Sequence, residues 1–449
     1  MKLVILGGGG FRVPLIHRAL LVEQGEPRVT DLVLYDVDLR RLTAIRHVLE
    51  QQATLEGDRE PLNVSVTTDL KEALAGADFV FSAIRVGGLE GRVVDEQVAL
   101  DQGVLGQETV GAGGISYGLR TVPVAIEVAR RIAELAPDAW TINFTNPAGM
   151  VTEAMAAHLG DRVIGICDSP VGLTRRVARL LGLDPATAWF DYAGLNHLGW
   201  LRGVYVEGHD HLPRLMANAE ALGSFEEGKL FGAEWLQTLG SVPNEYLYYY
   251  YYSHEAIRAG RAAALTRGAF LLRQQQDFYA QTERDAGSAL AAWRRTRAER
   301  EATYMADTRE IAGAGDRDSD DMESGGYEQV ALSIMRAIAR DERTVLILNV
   351  RNRAALSVVD EDAVVEVPCV VDANGPHQVV INQLPAHAAG LVASVKAVER
   401  AAIEAAVEGS RRAALKALAL HPLVGSVTVA QRMLDQYVQQ FPQLSYLRG

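Results

Sequence analysis

The 449-residue sequence has only two cysteines, no long apolar run and fewer basic than acidic residues. Two cysteines in a chain of this length cannot build a disulfide framework, which predicts a reducing compartment. No apolar run reaches the roughly 18 residues that a membrane-spanning helix needs, so no membrane partner is predicted. The net charge of −13 disfavours a nucleic-acid partner, because nucleic acids bind basic patches.

The start of the sequence does not indicate a signal peptide. Its opening residues, MKLVIL, carry one basic residue and are followed at once by glycine, which leaves too short an apolar region. We therefore predict a cytoplasmic protein whose first residues form a buried strand. Apolar residues make up 48% and charged residues 22%, as in globular proteins, and the length predicts two domains.

The first part of the sequence alternates strand-like and helix-like segments. Apolar runs typical of strands lie at 3–6, 32–36, 63–67, 79–84, 141–145 and 163–167. Helical patterns separate them, at 38–56, 69–75, 118–135 and 147–158. Because the runs are apolar throughout, they suit strands covered on both faces. The predicted fold class is α/β, with an N-terminal Rossmann-like doubly wound parallel sheet, as in lactate and malate dehydrogenases, over residues 1–190.

The pattern changes after about residue 190. Helical stretches are predicted at 255–300, 327–340, 387–419 and 426–439, with strands at 345–350 and 362–371. The acidic, glycine-rich segment 312–326 predicts a mobile surface loop. Residues 191–449 are therefore predicted to form a mixed α+β domain for catalysis, substrate binding and oligomerisation.

The segment VILGGGGFRVP (4–14) follows the first strand and opens the first helix. Glycines at such a turn let backbone N–H groups approach a pyrophosphate, which the helix N-terminus also attracts. Gly7 and Gly9 match the first two glycines of the dinucleotide fingerprint, but Arg12 stands where the third belongs. We predict that Gly10 and Phe11 share this cofactor site with those three residues.

Asp36 ends the second strand, LVLYD (32–36). Its distance from the glycines suits an acid that binds the ribose 2′-hydroxyl, which favours NAD over NADP because a 2′-phosphate would be repelled. The alternative is that Asp36 only caps the helix that starts near residue 38.

Further along the chain, two polar residues lie within apolar segments. They are Cys167 in GICDSP (165–170) and His197 in GLNHLGW (194–200). Each alone is most often a core residue. Together a thiolate and an imidazole bind a divalent transition metal and leave positions open for catalysis. The tyrosine-rich NEYLYYYYYSHE (244–255) is mostly typical of packing, although a tyrosine beside a metal ion ionises more easily and serves as a base.

These motifs occur in one order with several others, namely FSAIRVGGLEGRVVDE, GVLGQETVGAGGISYGLRTVP, INFTNPAG, SGGYEQVALSIMRAI and LNVRNRAALS. The ordered set resembles the NAD- and metal-dependent glycoside hydrolases of family four, and within them the 6-phospho-β-glucosidases. The resemblance implies that NAD+ oxidises carbon 3 of the sugar, a tyrosine removes the hydrogen of carbon 2, and a divalent metal, typically Mn2+, stabilises the enediolate. The glycosidic oxygen then leaves, water adds and the hydride returns, so the net reaction is hydrolysis of a phosphorylated glycoside.

The resemblance also implies roles for individual residues. Cys167 and His197 are the metal ligands, and Tyr246 is the base, with Tyr248 or Tyr249 as the alternative. Asn146 contacts substrate near the nicotinamide. Arg85 and Arg267 bind substrate or phosphate, or else form ordinary salt bridges. Glu108 lies near the site without an assigned step.

Asp168 departs from the β-specific pattern, because β-specific members often carry asparagine after the metal cysteine. Members specific for α-linkages often carry aspartate there, which protonates the leaving group. The surrounding motifs remain typical of β-specific members, so we predict specificity for β-linkages ahead of α-linkages. An NAD-dependent 2-hydroxy-acid dehydrogenase and a non-catalytic dinucleotide sensor are the rival functions. Members of this family are usually homodimers or homotetramers, which we adopt as the expectation.

Overall fold

The computed structural model describes residues 1–56, 62–315, 326–381 and 383–448. Most of the predicted loop at 312–326 lies outside these ranges. No helix within them combines the length and the apolarity needed to cross a membrane.

The six predicted N-terminal strands form one parallel sheet in the order β3-β2-β1-β4-β5-β6, which is the strand order of dinucleotide-binding folds. They are β1 (Lys2–Leu6), β2 (Asp31–Tyr35), β3 (Asn63–Thr67), β4 (Phe79–Ser82), β5 (Trp140–Asn143) and β6 (Val163–Gly165). In the pairing of β1 with β2, Lys2 lies opposite Asp31, so the first residues of the two strands are aligned. The predicted α/β fold class is confirmed.

Helices cover both faces of this sheet. They are α1 (Val13–Val22), α2 (Leu39–Glu56), α3 (Leu70–Leu74), α4 (Gly88–Asp101), α5 (Gly111–Leu135), α6 (Ala148–Leu159) and α7 (Ser169–Leu181). Leu3 and Ile5 of β1 share one hydrophobic core with α1 and α2, whereas Val4 and Leu6 share another with α3, α5 and α6. Alternate side chains of a strand point to opposite faces, so the sheet is buried on both sides.

Helix α5 begins seven residues earlier than the predicted start at 118. Its first turn, GAGG, has low helix propensity, which hides the helix from sequence patterns. Close packing explains these glycines: a Cβ on Gly113 would lie 2.1 Å from the Gln107 carbonyl oxygen, and one on Gly114 would lie 2.6 Å from that of Thr109. Tertiary packing therefore overrides propensity here.

The second half of the chain extends the same sheet with antiparallel strands in the order β6-β11-β12-β7-β8-β10, and β9 and β13 pair with β8 and β12. These strands are β7 (Trp189–Leu195), β8 (Leu198–Val206), β9 (His209–Asp210), β10 (Val242–Pro243), β11 (Thr344–Arg351), β12 (Val364–Asp372) and β13 (Gly375–Gln378). The sequence did not predict the β7–β8 hairpin. A hairpin turn is usually marked by glycine at positive φ, but here His197 takes that conformation, with φ of 61°.

The remaining helices pack around this extension. They are α8 (Leu212–Met216), α9 (Ala219–Leu222), α10 (Glu226–Phe231), α11 (Ala233–Leu239), α12 (Tyr248–Tyr251), α13 (Ser253–Ala262), α14 (Arg267–Arg284), α15 (Ala289–Ala302), α16 (Ala306–Ala312), α17 (Tyr327–Arg340), α18 (Ala386–Glu408), α19 (Arg411–Leu420) and α20 (Val427–Gln440). The predicted stretch 387–419 is two helices, because Gly409 ends α18 at φ of 69° and Ser410 caps α19.

Three C-terminal side chains hold the glycine-rich turn after β1. The Tyr279 hydroxyl donates to the Gly9 carbonyl at 2.7 Å, the Trp293 indole donates to that of Phe11 at 2.8 Å, and the Tyr327 hydroxyl donates to that of Arg12 at 2.7 Å. The second half of the chain thus closes over the end of the parallel sheet at which ligands bind in such folds.

Candidate active site

A cavity of about 840 Å³ lies at this end of the sheet. Its wall includes nearly all of the predicted site residues, namely Gly7, Gly10, Phe11, Arg12, Asp36, Arg85, Glu108, Asn146, Cys167, Asp168, His197, Tyr246, Tyr249 and Arg267. Residues far apart in the sequence therefore meet around one space, which is large enough for a cofactor and a substrate.

The glycine turn is held tightly against the second and fourth strands. Gly7 has φ of +85°, and a Cβ there would lie 2.6 Å from the Ala83 carbonyl oxygen. Gly9 is packed against α2, because its Cβ would lie 2.7 Å from that of Arg41. Helix α1 starts directly after the turn at Val13. A tight turn, close backbone approach and a helix N-terminus are the features that a pyrophosphate requires.

The Asp36 carboxylate faces both the cavity and the glycine turn. Its Oδ2 accepts from the Gly9 N–H at 3.0 Å, and its Oδ1 accepts from the Asp38 N–H at 3.1 Å. Asp38, not Asp36, caps α2, because the Asp38 carboxylate accepts from the N–H groups of Arg40 and Arg41 in its first turn. This geometry disfavours the alternative that Asp36 is only a helix cap.

Asn146 presents an unsatisfied polar atom to the cavity. Its Oδ1 is buried and finds no hydrogen-bond partner among the described residues. An orphaned buried acceptor costs about 1–3 kcal/mol, so a donor on a bound molecule would stabilise it. The polar turn, Asp36 and Asn146 therefore fit a dinucleotide and its substrate along one wall.

Cys167 lies between the end of β6 and the start of α7, with 4% of its surface exposed. Its Sγ is 4.0 Å from Asp168 Oδ1. Burial, followed by the negative charges of Glu366 and Asp168, raises the pKa of the Cys167 thiol well above its ordinary value. The thiol is therefore neutral unless a cation binds it, and the surrounding negative charge favours a cation.

His197 lies in the β7–β8 turn and has a backbone conformation that non-glycine residues rarely adopt. Residues in such conformations cluster at functional sites. Its Nδ1 is 3.1 Å from the Thr109 hydroxyl, and burial lowers the pKa of the imidazole to about 3. The ring is therefore neutral at physiological pH. With the proton on Nδ1, Nε2 presents a lone pair of the kind that binds metals.

The two residues suit an open metal site. Within the parts of the chain that the structure describes, no group of three or more His, Cys, Asp or Glu side chains is arranged to hold a metal ion. A cation between Cys167 and His197 would thus keep coordination positions for substrate oxygens. This donor set, one thiol and one imidazole, suits a divalent transition metal better than Mg2+ or Ca2+.

Tyr246 stacks on His197, with ring centroids 3.6 Å apart and planes within 5°. It belongs to the 3₁₀ turn Glu245–Leu247, which Asn244 caps by accepting from the Tyr246 N–H. Burial and then the charge of Glu245 raise the pKa of Tyr246 well above its ordinary value. A nearby cation would act in the opposite direction.

The two alternative tyrosines differ in position. Tyr249 lines the cavity, with its ring centroid 6.1 Å from that of Tyr246. Tyr248 is 1% exposed and stacks on Tyr252 at 4.8 Å, within the hydrophobic core. Tyr246 is the tyrosine whose ring is seen to stack on His197.

Both predicted arginines line the cavity; Arg85 forms an ion pair there, and Arg267 donates hydrogen bonds. Arg85 Nη1 is 2.7 Å from Glu108 Oε2, and Arg92 Nη1 is 2.7 Å from Glu108 Oε1. Burial alone would raise the pKa of Glu108, but these two arginines lower it to about 2. Arg267 donates to the Thr303 hydroxyl and to the Arg300 carbonyl. Arg85 and Arg267 thus both line the cavity, and their binding of substrate or phosphate stays a prediction.

Arg12 points toward the Cys167 side of the cavity. Its guanidinium lies 5.4 Å from the Phe144 ring centroid and 5.3 Å from that of Tyr327, and Nη1 is 3.6 Å from Asp168 Oδ2. Burial lowers the pKa of Arg12, but Asp168 and Tyr327 more than offset this. Arg12, which occupies the position of the third glycine in the dinucleotide fingerprint, therefore faces the Asp168 region.

The sequence did not predict three further cavity residues, Glu245, Arg300 and Tyr304. Burial, and then the positive charges of Arg12 and Arg267, lower the pKa of Arg300 to about 9. In the sequence, Arg300 lies in the charged run RRTRAERE, which is typical of a solvated helix face. Glu245 precedes Tyr246 directly, and that proximity was the one available signal.

Comparisons with known proteins agree with this architecture. The profile described as "Family 4 glycosyl hydrolase" matches residues 2–183, and that described as "Family 4 glycosyl hydrolase C-terminal domain" matches residues 192–424. The chain is 32% identical to a probable 6-phospho-beta-glucosidase of Bacillus subtilis, over 98% of this chain and 96% of that protein. It is 31% identical to a 6-phospho-alpha-glucosidase of Leptotrichia buccalis, over 98% and 97%.

A solved structure of the 6-phospho-beta glucosidase from Thermotoga maritima, with manganese, NAD+ and glucose-6-phosphate, has a similar fold. Its TM-score is 0.80 at 25% identity, covering 98% of both chains. The two family profiles together, and each of the two relatives, therefore align with nearly the whole chain, which belongs to family 4 of the glycosyl hydrolases.

Proposed function

We propose that this glycosidase hydrolyses 6-phospho-β-glucosides and uses NAD and a divalent cation, Mn2+ in the first instance. The observation that carries the proposal is the meeting of the glycine turn, the Cys167–His197 pair and a group of arginines around one cavity. The named relatives are 6-phosphoglucosidases, and the Thermotoga maritima structure contains manganese, NAD+ and a sugar phosphate.

We assign the cofactor to the part of the cavity wall formed by Gly7, Gly10, Phe11, Arg12 and Asp36. Gly9 supports the turn by packing against α2. Residues 1–190 would then bind the cofactor, and 191–449 would complete the substrate side and mediate oligomerisation. When bound, the nicotinamide and the cation supply a hydride acceptor and a Lewis acid.

The chain's own residues would carry out the remaining steps. Cys167 and His197 hold the cation, and the free Asn146 Oδ1 accepts a hydrogen bond from a sugar hydroxyl beside the cofactor. Tyr246, stacked on His197, takes the proton from carbon 2 of the sugar and later returns it.

Replacing Gly7 by alanine should weaken NAD+ binding at least tenfold, because a side chain there meets the Ala83 carbonyl and opposes the positive φ. Gly76→Ala is the matched control: Gly76 has φ of +67° and nothing within 4 Å of its added Cβ. Gly76→Ala therefore introduces the same unfavourable positive φ without crowding the glycine turn. Isothermal titration with NAD+ measures both; equal, unchanged affinities would contradict the assigned cofactor wall.

We assign the 6-phosphate to Arg267 and Arg300, next to Arg12 of the cofactor wall. These guanidiniums lie close enough that Arg12 and Arg267 contribute to lowering the pKa of Arg300 to about 9. Such accumulated positive charge is relieved by a dianion, and guanidiniums bind phosphate bidentately. The nearby Glu301 offsets only part of the effect.

Arg300→Met should raise the KM for 6-phosphorylated substrates about 10- to 100-fold, the loss of one charge-assisted contact. The KM for an unphosphorylated glucoside should change little. Arg294→Met, an exposed position on the same helix α15, is the control. Steady-state kinetics on matched substrate pairs tests this. An equal rise with and without the phosphate would contradict the assignment.

Cleavage of 6-phospho-α-glucosides is the second candidate, and Asp168 favours it. Asp168 lines the cavity beside Cys167 and is held 3.6 Å from Arg12. A panel of α- and β-linked aryl glucosides, with and without 6-phosphate, assayed with NAD+ and Mn2+, separates the candidates. We expect the 6-phospho-β-glucoside to be cleaved fastest. Preference for the α-linked partner would replace the proposal, and cleavage independent of NAD+ and metal would refute it.

A further inference from the structure

Tyr304 reaches into the cavity from the segment between α15 and α16 and meets the Tyr246 hydroxyl. The two hydroxyl oxygens are 3.3 Å apart. Tyr304 donates to Glu245 Oε1 at 2.7 Å, a shorter distance than that to the Tyr246 hydroxyl. A residue more than fifty positions along the chain is therefore bonded to the immediate neighbour of Tyr246 and touches its reactive oxygen.

Glu245 fixes Tyr304 and is itself held firmly. It is 6% exposed, and its Oε1 also accepts from the Ser169 hydroxyl at 3.1 Å. Ser169 is the first residue of α7 and directly follows Asp168. Glu245 thus connects the two sides of the cavity, the GICDSP segment and the tyrosine segment, through one carboxylate oxygen.

The Tyr246 ring and hydroxyl are set by different contacts. Stacking on His197 fixes the plane of the ring. Stacked rings still slide and rotate within their plane, because the interaction is weakly directional. A hydrogen bond at the hydroxyl limits that freedom. Tyr304 is the side chain that supplies this contact in the hydrogen bonds of the structure.

We propose that Tyr304, oriented by Glu245, is a positioning residue that holds the Tyr246 oxygen against carbon 2 of the substrate. This inference rests on the proposed function, because it takes Tyr246 as the base. It assigns no proton to Tyr304 and requires no contact between Tyr304 and substrate. A misplacement of the base by about 1 Å costs on the order of 10²-fold in rate, so one such contact matters.

Tyr304→Phe removes the hydroxyl and keeps the ring. We expect kcat to fall about 10- to 100-fold, with KM and NAD+ affinity within about threefold of wild type. Proton removal would become more rate-limiting, so the isotope effect on kcat with substrate deuterated at carbon 2 should increase, while that at carbon 3 should not. Tyr446→Phe is the control, since it deletes a tyrosine hydroxyl that donates to the Leu119 carbonyl, and neither residue lines the cavity.

Glu245→Met removes the acceptor that orients Tyr304 and provides a second test should Tyr304→Phe fold poorly. It should reproduce the larger carbon-2 isotope effect, and Glu245→Gln, which keeps an acceptor oxygen, should lie between it and wild type. If both residues act through one contact, the Tyr304→Phe/Glu245→Met double variant should be no slower than the slower single variant. Additive losses would overturn the inference.

An unchanged carbon-2 isotope effect in Tyr304→Phe, or a rise in KM with kcat intact, would also overturn it. If the proposed function is wrong, the results differ. Tyr246→Phe would then retain wild-type turnover, or neither the wild-type enzyme nor any variant would show an isotope effect with substrate deuterated at carbon 2. The two failures are therefore distinguishable in the same set of measurements.

Discussion

Replacing Cys167 by alanine should abolish metal-dependent turnover. Loss of one of two protein ligands should weaken Mn2+ binding about 100-fold or more, and loss of Lewis-acid assistance worth several kcal/mol corresponds to roughly 10³-fold in kcat. Mn2+ titration followed by electron paramagnetic resonance, together with kcat at saturating NAD+, measures both effects. NAD+ affinity should remain, because the glycine turn is unaltered.

The environment of the thiol gives this prediction a pH dependence. Burial and nearby carboxylates raise the pKa of Cys167, so the metal-free thiol is protonated. His197 is neutral above a pKa of about 3 and releases no proton on binding. Each cation should therefore displace one proton, and Mn2+ affinity should increase about tenfold per pH unit in wild type. In Cys167→Ala this dependence should disappear.

Cys369→Ala is the matched control, because Cys369 is the other cysteine and is fully buried in β12. Its Sγ faces the Val367 carbonyl. The substitution should reduce thermal stability slightly through the lost packing and leave Mn2+ binding and kcat intact. If both cysteine variants bind Mn2+ like wild type, Cys167 is a core residue and the assigned metal site is wrong.

Replacing Tyr246 by phenylalanine should reduce kcat roughly 10³-fold, within the range measured for removal of a general base. The ring and its stacking on His197 remain, so Mn2+ and NAD+ affinities should change less than about threefold. Deuterium at carbon 2 should then give a larger isotope effect than in wild type, because proton removal limits the residual rate.

Two neighbouring tyrosines serve as comparisons for this variant. Tyr248→Phe alters a residue packed in the core, and it should retain the wild-type rate. Tyr249→Phe alters a cavity residue that does not stack on His197, and it should affect KM more than kcat. A large loss of kcat in Tyr249→Phe with little change in Tyr246→Phe would transfer the role of base to Tyr249.

The parallel half of the fold was predictable because its strands, apart from β3 with its alternating polar residues, are mainly apolar. Residues 3–6 and 63–67 are strands as predicted, and both faces of β1 are covered. The β7–β8 hairpin was not predictable, since histidine occupies its left-handed turn position. The start of α5 was hidden by glycines that serve packing against Gln107 and Thr109.

The candidate site was predictable where a residue type is unusual for its surroundings. Cys167 and His197 are polar within apolar segments, and Asp36 ends an apolar strand. Tyr304 and Arg300 lie in a polar helical region, where tyrosine and arginine are unremarkable. Their proposed roles depend on the hydrogen bond of Tyr304 to Glu245 and on the charges of Arg12 and Arg267 near Arg300, which only the tertiary fold brings together.

X-ray diffraction at the manganese absorption edge, from crystals grown with NAD+ and Mn2+, tests the central claim most directly. The account predicts one anomalous peak inside the cavity, bonded to the Cys167 sulfur and to a ring nitrogen of His197, with the nicotinamide beside it. A peak bonded to neither residue, with the thiol and the imidazole still packed as in the present structure, would contradict it.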